Sequence, residues 1–439
     1  MKQKAITLIL ILISAIVPLC IVPDKTNNNY NIIKFIILLV AGLALLILLL
    51  GSYKTLTMDK KDILILIFMG LVFISAFFSN NIKTAIIGAN NRYEGLPMFA
   101  TYICIYLCAK KYFNIKKKTI ILNIMFIISM IIGILGIAQK YVNYEDLYPI
   151  FNKGICSTFG NSNFFGSFIS LVLPISIATF IFTGTKKGFI LSLVMFFNMI
   201  SSCTRSAWVA FAFVGIIGLI YLIKQKNKQY FKRTLIIITC FVIIFIYLLN
   251  GFNFIFNKFT KESTEKQSTI SETQRKINII KQEITKATKS GLSEEMGSSR
   301  ISIWKLTLLL MSKKPILGCG PDNLWFGLVE NCEKEIYQFV NKHHVAVDKA
   351  HNEYLQIGAT IGIPALICYI TFILLILIPK TKLNLNNKTC FIIYLSLISY
   401  LIQAFFNIST IGVAPLFWIL LGLIDNENII NNRKEIYGN

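Results

Sequence analysis

HNEYLQIGATIGIPALICYITFILLILI, residues 351–378, opens with His, Asn and Glu and then runs apolar. A hydrocarbon layer of ~30 Å is crossed by ~20 helical residues, so the stretch predicts a membrane span over 352–378 with His351 at its aqueous mouth. The same pattern recurs outward from it. Apolar runs fall at 5–22, 31–51, 63–79, 95–109 and 119–138, at 164–183, 189–202, 207–223 and 234–250, and at 389–407 and 412–424. With 55% hydrophobic and 15% charged residues in 439, the composition fits a polytopic membrane protein better than two or three soluble domains. The expected fold is all-α with about twelve transmembrane helices. Residues 1–250 would hold about nine spans. Residues 251–350 would form an extracytoplasmic loop with amphipathic helices, and residues 351–439 about three spans with a short cytoplasmic tail.

The formal charge of +23 does not require nucleic acid. Lysines cluster in alternate loops: Lys54, Lys60 and Lys61; Lys110, Lys111, Lys116, Lys117 and Lys118; Lys186 and Lys187; Lys224 to Arg233. The loop SNNIKTAIIGANNRYEG, residues 79–95, has only Lys83 and Arg92, and Lys34 is counted beside another outer loop. Positive charge accumulates on the cytoplasmic side of short loops, which predicts both termini inside. The Ala5–Val22 run reads as a first span rather than a signal peptide, because Leu19 spoils a lipoprotein-type cleavage site before Cys20.

Ten cysteines and three histidines show no zinc-ligand spacing, so no metal and no cofactor are expected. Cys319 and Cys332 both fall in a predicted outer segment, where a disulfide is allowed. A structureless segment over 251–350 is implausible at that length. Ile270, Ile277, Ile280, Ile284 and Ala287 mark an amphipathic helix over 270–287. The run Ile301–Met311 is too short to span and belongs at the interface or against the bundle. In PILGCGPDN, residues 315–323, no Walker lysine accompanies the glycines, so Gly318, Gly320 and Pro321 make a tight turn.

Few charges lie within the spans, which disfavours an ion-coupled carrier. The polar candidates gather at the outer edge: Arg92, Glu94, Asn161, Asn163, Arg205, Arg300 and His351. Arg205, in the short turn SSCTRSAW, is either an arginine reaching to headgroups or an anion-binding group. Arg300, four residues before Trp304, is either a surface residue of an amphipathic helix or a second guanidinium. Two such forks hold a diphosphate without a metal. His351 is either a helix-start residue or a base, since an imidazole titrates near ~6.5. Asn352 and Glu353 are placed to orient it or a substrate, with Glu353 expected rather to face water or end the outer loop, and His343 and His344 are expected to be solvated.

In order along the chain, NRYEGL (91–96), TFGNSNFFGSFISLVLPI (158–175), TRSAW (204–208), RISIW (300–304), PILGCGPDN (315–323) and HNEYLQIGATIGIP (351–364) resemble the O-antigen ligase/polymerase superfamily of bacterial membrane proteins. The resemblance implies a fold like that of lipid-sugar-dependent (GT-C-like) transferases and a glycan donor linked to undecaprenyl diphosphate. It implies metal-independent inversion, with Arg205 and Arg300 on the diphosphate and His351 as general base. Arg92, Asn161, Asn163, Trp304, Asn352 and Glu353 would support them, and the insert before His351 would form an acceptor-side lid. The acceptor stays open among glycan, lipid and protein, and membrane lipids are further partners. A flippase for lipid-linked sugars and a non-catalytic envelope scaffold are the competing functions.

Overall fold

The computed structural model describes residues 2–21, 31–52, 57–113, 115–141, 155–265, 300–343, 346–378 and 388–426. Among the described residues there is no strand. The helices before the long insert are α1 (Lys2–Leu19), α2 (Ile32–Leu50), α3 (Lys60–Phe77), α4 (Ile82–Ile87), α5 (Leu96–Tyr112), α6 (Ile115–Tyr141), α7 (Ser162–Thr183), α8 (Lys186–Ser201), α9 (Arg205–Gln225) and α10 (Lys228–Glu265). After it come α11 (Arg300–Lys313), α12 (Leu324–Asn331), α13 (Glu333–His343), α14 (Glu353–Thr360), α15 (Ile363–Leu377), α16 (Lys388–Ala404) and α17 (Ala414–Asp425).

Every predicted apolar run carries helix, and α1, α2, α6, α7, α9 and α10 are long and apolar enough to cross a membrane. The protein is a polytopic membrane protein. Its apolar helices sort by burial. α2 and α10 present side chains such as Ile47 and Leu235 outward, 69% and 65% exposed, as expected of surfaces facing lipid. The 12 residues of α17 are all buried. At 1.5 Å per residue α17 rises only ~18 Å, short of the hydrocarbon thickness, so it is an interior helix enclosed by its neighbours. α17 lies along α5, α16 along α7, and α15 along α3.

The structure corrects several expectations. The predicted span 352–378 is two helices, α14 and α15, broken at Ile361–Gly362. Gly362 adopts φ +109, and a Cβ there would lie 2.0 Å from the Ile316 carbonyl oxygen. The PILGCG turn fills the break: Ile363 N donates to Pro315 O (2.8 Å), Gly320 N to Thr360 O (2.8 Å) and Cys319 N to Ala359 O (3.2 Å). These bonds serve backbone groups freed by the interruption. Gly318 and Gly320 both have positive φ, as a tight turn requires. α14 packs on α11 and α12 as well as on α15. α10 continues past the predicted end of its span at 250 to Glu265. The expected helix over 270–287 lies outside the described residues.

Lys34 is not a loop charge. It is completely buried in α2, donates to Thr158 O (2.9 Å) and lies 5.0 Å from the centre of the Phe159 ring. Nor are all the loop lysines solvated. Lys110 pairs with Asp59 (2.6 Å), Asp62 (2.7 Å) and Asp425 (2.9 Å), Lys111 with Asp62 (2.8 Å), and Lys61 with Asp425. All ten cysteines are free, Cys319 and Cys332 both buried. Cys319 Sγ turns instead toward the carbonyls of Asn323 (3.4 Å) and Ala359 (3.5 Å).

Candidate functional site

The segment before α14 holds His351 in an unusual backbone position, φ +50, which a non-glycine residue adopts only when its surroundings enforce it. Four contacts do so. Arg92 Nη1 donates to Asp348 O (2.9 Å), Trp304 Nε1 to Ala350 O (3.0 Å), and Ala350 N to Gln356 Oε1 (2.8 Å). Asn352 caps α14, its side chain accepting from Leu355 N (3.0 Å). The loop is thus tied to three separate parts of the chain, and the imidazole projects from a fixed support.

That support alters the imidazole's chemistry. His351 Nδ1 is buried without a hydrogen-bond partner. Burial first, then the positive charges of Lys349 and Arg300, lower its pKa to about 4 rather than the ordinary value. It is therefore neutral, with a lone pair available, throughout the physiological range.

Arg205 starts α9 after the capping position Thr204 and is exposed at the helix's positive end. Arg300 starts the described part of α11, one turn before Trp304, whose ring lies edge-on to Phe405 with centroids 5.5 Å apart. The guanidiniums are near enough that Arg205, after burial itself, lowers the pKa of Arg300. Among the described residues no carboxylate pairs with either arginine. Tertiary folding thus brings Arg300 within electrostatic reach of both Arg205 and His351, and adds Lys349 beside His351. Lys349 is paired with Asp348 (3.2 Å), which leaves the two guanidiniums as the cations suited to an anionic ligand.

The loop 157–163 borders the Arg205 corner. Thr204 Oγ1 donates to Ser162 O (2.9 Å), and Gly166 lets Thr204 approach so closely that a Cβ would meet its methyl at 2.4 Å. Asn161 caps α7 by accepting from Asn163 N (2.8 Å), while Asn407 Nδ2 donates to Asn163 O (2.9 Å). Both asparagines are placed at the site's edge, with Asn161 committed to its helix.

Arg92 is buried, in an ion pair with Asp322 of the GPDN turn, and is near enough to His351 to help lower its pKa. Asp322 also accepts from Ala89 N (2.5 Å), and Asn80 N donates to Cys319 O (3.1 Å), so that turn is fastened to the 79–92 segment. Glu353, expected to face water, is buried, with Oε1 accepting from Tyr369 (2.8 Å). The interruption after Thr360 tilts no charge outward here; instead α14 turns its first residue into the bundle. Sequence reasoning missed Asp348, Lys349 and Gln356 around His351. The signal available was the DKA immediately before it, masked by the polar look of the insert. Among the described residues no cluster of His, Cys, Asp or Glu has metal-binding form.

Residues 190–370 match the family model described as O-Antigen ligase. The match begins in α8, ends in α15 and includes Arg205, Arg300 and His351, while Arg92, Asn161 and Asn163 precede it. A comparison with curated proteins gives no match. Over residues 190–370 the chain is thus similar to the O-antigen ligase family.

Proposed function

We propose that the protein transfers a glycan from undecaprenyl diphosphate to an acceptor hydroxyl at the outer face of the bacterial cytoplasmic membrane, with both termini cytoplasmic. The observation that carries this reading is the cluster itself: two guanidiniums close enough to repel, beside a neutral imidazole. Arg205 and Arg300 hold the diphosphate and stabilise the charge that grows on it as the glycosidic bond breaks. His351 accepts the proton of the acceptor hydroxyl as that oxygen attacks the anomeric carbon, which inverts the centre. The arginines provide the neutralisation without calling on a metal ion. Residues 1–250 and 351–439 serve as the membrane bundle, with 251–350 on the outer side and the segment before His351 as acceptor-side lid.

A base with a pKa of about 4 is weak in the free protein. Donor binding changes this. A diphosphate on Arg205 and Arg300 offsets the Arg300 charge, one of those that after burial and Lys349 depress His351, and adds a negative neighbour, so the imidazole gains basicity as the donor arrives. The acid limb of kcat, which reports the donor-bound state, should therefore lie above that of kcat/KM.

The test is reconstitution in liposomes with a defined lipid-linked glycan, candidate acceptors, and chelator present or absent. His351→Ala, Arg205→Ala and Arg300→Ala should abolish transfer while the protein inserts at normal level. Lengthened lipid-linked chains identify a polymerase, and glycan moved to another molecule identifies a ligase. Retained transfer by His351→Ala removes the base assignment, and transbilayer movement without a new bond makes the protein a flippase.

A further inference from the structure

A cavity of about 50 Å³ is lined by Arg92, Glu94, Asp322, Glu353 and Gln356, with aromatic walls from α5, α15 and α17. It has room for one or two waters, and neither Arg205 nor Arg300 borders it. Three polar atoms in its lining have no hydrogen-bond partner: Arg92 Nε, Glu353 Oε2 and Gln356 Nε2. Arg92 and Glu353 are only 6% and 7% exposed. Two donors and one carboxyl oxygen meeting in so small a space match water, which both accepts and donates.

The charge of this cavity is one-sided. Arg92 is already paired with Asp322, so Glu94 and Glu353 have hydroxyl partners in place of a cation of their own. Tyr102 (2.8 Å) and Ser409 serve Glu94, and Tyr369 (2.8 Å) serves Glu353. Two carboxylates in a space of low polarity lose hydration and repel each other, so the protonated form is favoured.

The same wall holds the catalytic loop. Arg92 donates to Asp348 O and Gln356 accepts from Ala350 N, on the chain just before His351. We propose that Glu94 and Glu353 form a proton-binding site, a hydrated acid pair whose ionisation loosens the loop that carries His351. The released proton passes to water. The carboxylate left behind competes with Asp322 and the Asp348 carbonyl for the Arg92 guanidinium, and it draws the Gln356 amide away from Ala350.

Facing the pair are Arg92 and Asp322, Tyr102 of α5, Tyr354 of α14, Tyr369 of α15 and Tyr400 of α16, with Asp348 and Lys349 near Arg92. Free tyrosine titrates at about 10 and arginine above about 12, which leaves the carboxyls as the groups that respond near neutrality. Burial raises Glu94 to about 8 against the Tyr102 hydrogen bond, with Glu353 adding to the rise, and burial raises Glu353 to about 7.

Infrared difference spectra of the purified full-length protein between about pH 6 and about pH 9 should lose the carbonyl stretch of a protonated carboxylic acid. Glu94→Gln and Glu353→Gln should each remove part of that band. Hydrogen exchange across residues 346–352, corrected for its intrinsic pH dependence, should accelerate about tenfold over this range in the wild type and less than about twofold in the double variant. A carboxyl band that does not change, or an equal acceleration in the double variant, overturns the proposal. If the double variant fails to insert, the wild-type band and the Glu353→Gln protein alone decide the question. None of these readouts needs the transfer reaction, so they stand or fall apart from it.

Discussion

At the scale of single residues the site is a problem in charge. His351 has a folded pKa of about 4, below its ordinary value, so between about pH 4 and about pH 6.5 the unfolded chain binds more protons than the folded one. Its contribution to stability is complete above about pH 6.5 and is lost as the pH falls through about 4. Thermal unfolding of wild-type protein should therefore drop across that interval by more than that of His351→Gln. Arg300→Lys keeps a charge but loses the planar fork. It should lower the rate of transfer about 10²- to 10³-fold while leaving the folded fraction unchanged in a size-exclusion assay. Sequence pattern singled out Arg205, Arg300 and His351 because polar residues at the ends of apolar runs are conspicuous. It misplaced Glu353, since a carboxylate beside a predicted loop looks solvated until Tyr369, sixteen residues on, is folded against it.

At the scale of elements, the junction between α14 and α15 sets where His351 stands. Asn352→Ala removes the cap of α14 and should cost ~0.5–2 kcal/mol, with a larger fractional loss of transfer because His351 is the adjacent residue. Gly362→Ala meets the Ile316 carbonyl and a backbone conformation reserved for glycine. It should cost at least ~2 kcal/mol, read as a lowered melting temperature in detergent. Hydropathy reads the stretch from 352 to 378 as one helix because each half is apolar, although Gly362 and Pro364 are local signals for a helix that stops and restarts there. The break depends on carbonyl and amide partners supplied by the PILGCG turn, some forty residues earlier by the Cys319–Ala359 bond. Periodicity does not register such a partner.

At the scale of the molecule, the end opposite the arginine pair is fastened by Asp59 and Asp62 of the α3 start, Lys110 and Lys111 of α5, and Asp425 at the end of α17. Tyr106 adds a hydrogen bond to Asp425 at 2.7 Å. Asp425→Leu leaves Lys61 and Lys110 short of a buried partner and should destabilise the bundle by ~3–5 kcal/mol. Transfer per folded molecule should stay unchanged, because the substituted residue lies at the other end of α5 and α17 from the site. Restored stability in an Asp425→Leu, Lys110→Met double variant would show that the stranded charge causes the loss. The sequence by itself determined the helical membrane class, the positions of nearly all its apolar helices and the residues at their polar ends, because burial in hydrocarbon is a property of each run taken alone. Only the tertiary structure decided which helices are interior, which distant turn fills the break in the 352–378 run, and that Arg300 lies within electrostatic reach of both Arg205 and His351. Those outcomes depend on partners far apart in the chain, and no local pattern of residues encodes which distant group completes a hydrogen bond or faces a charge.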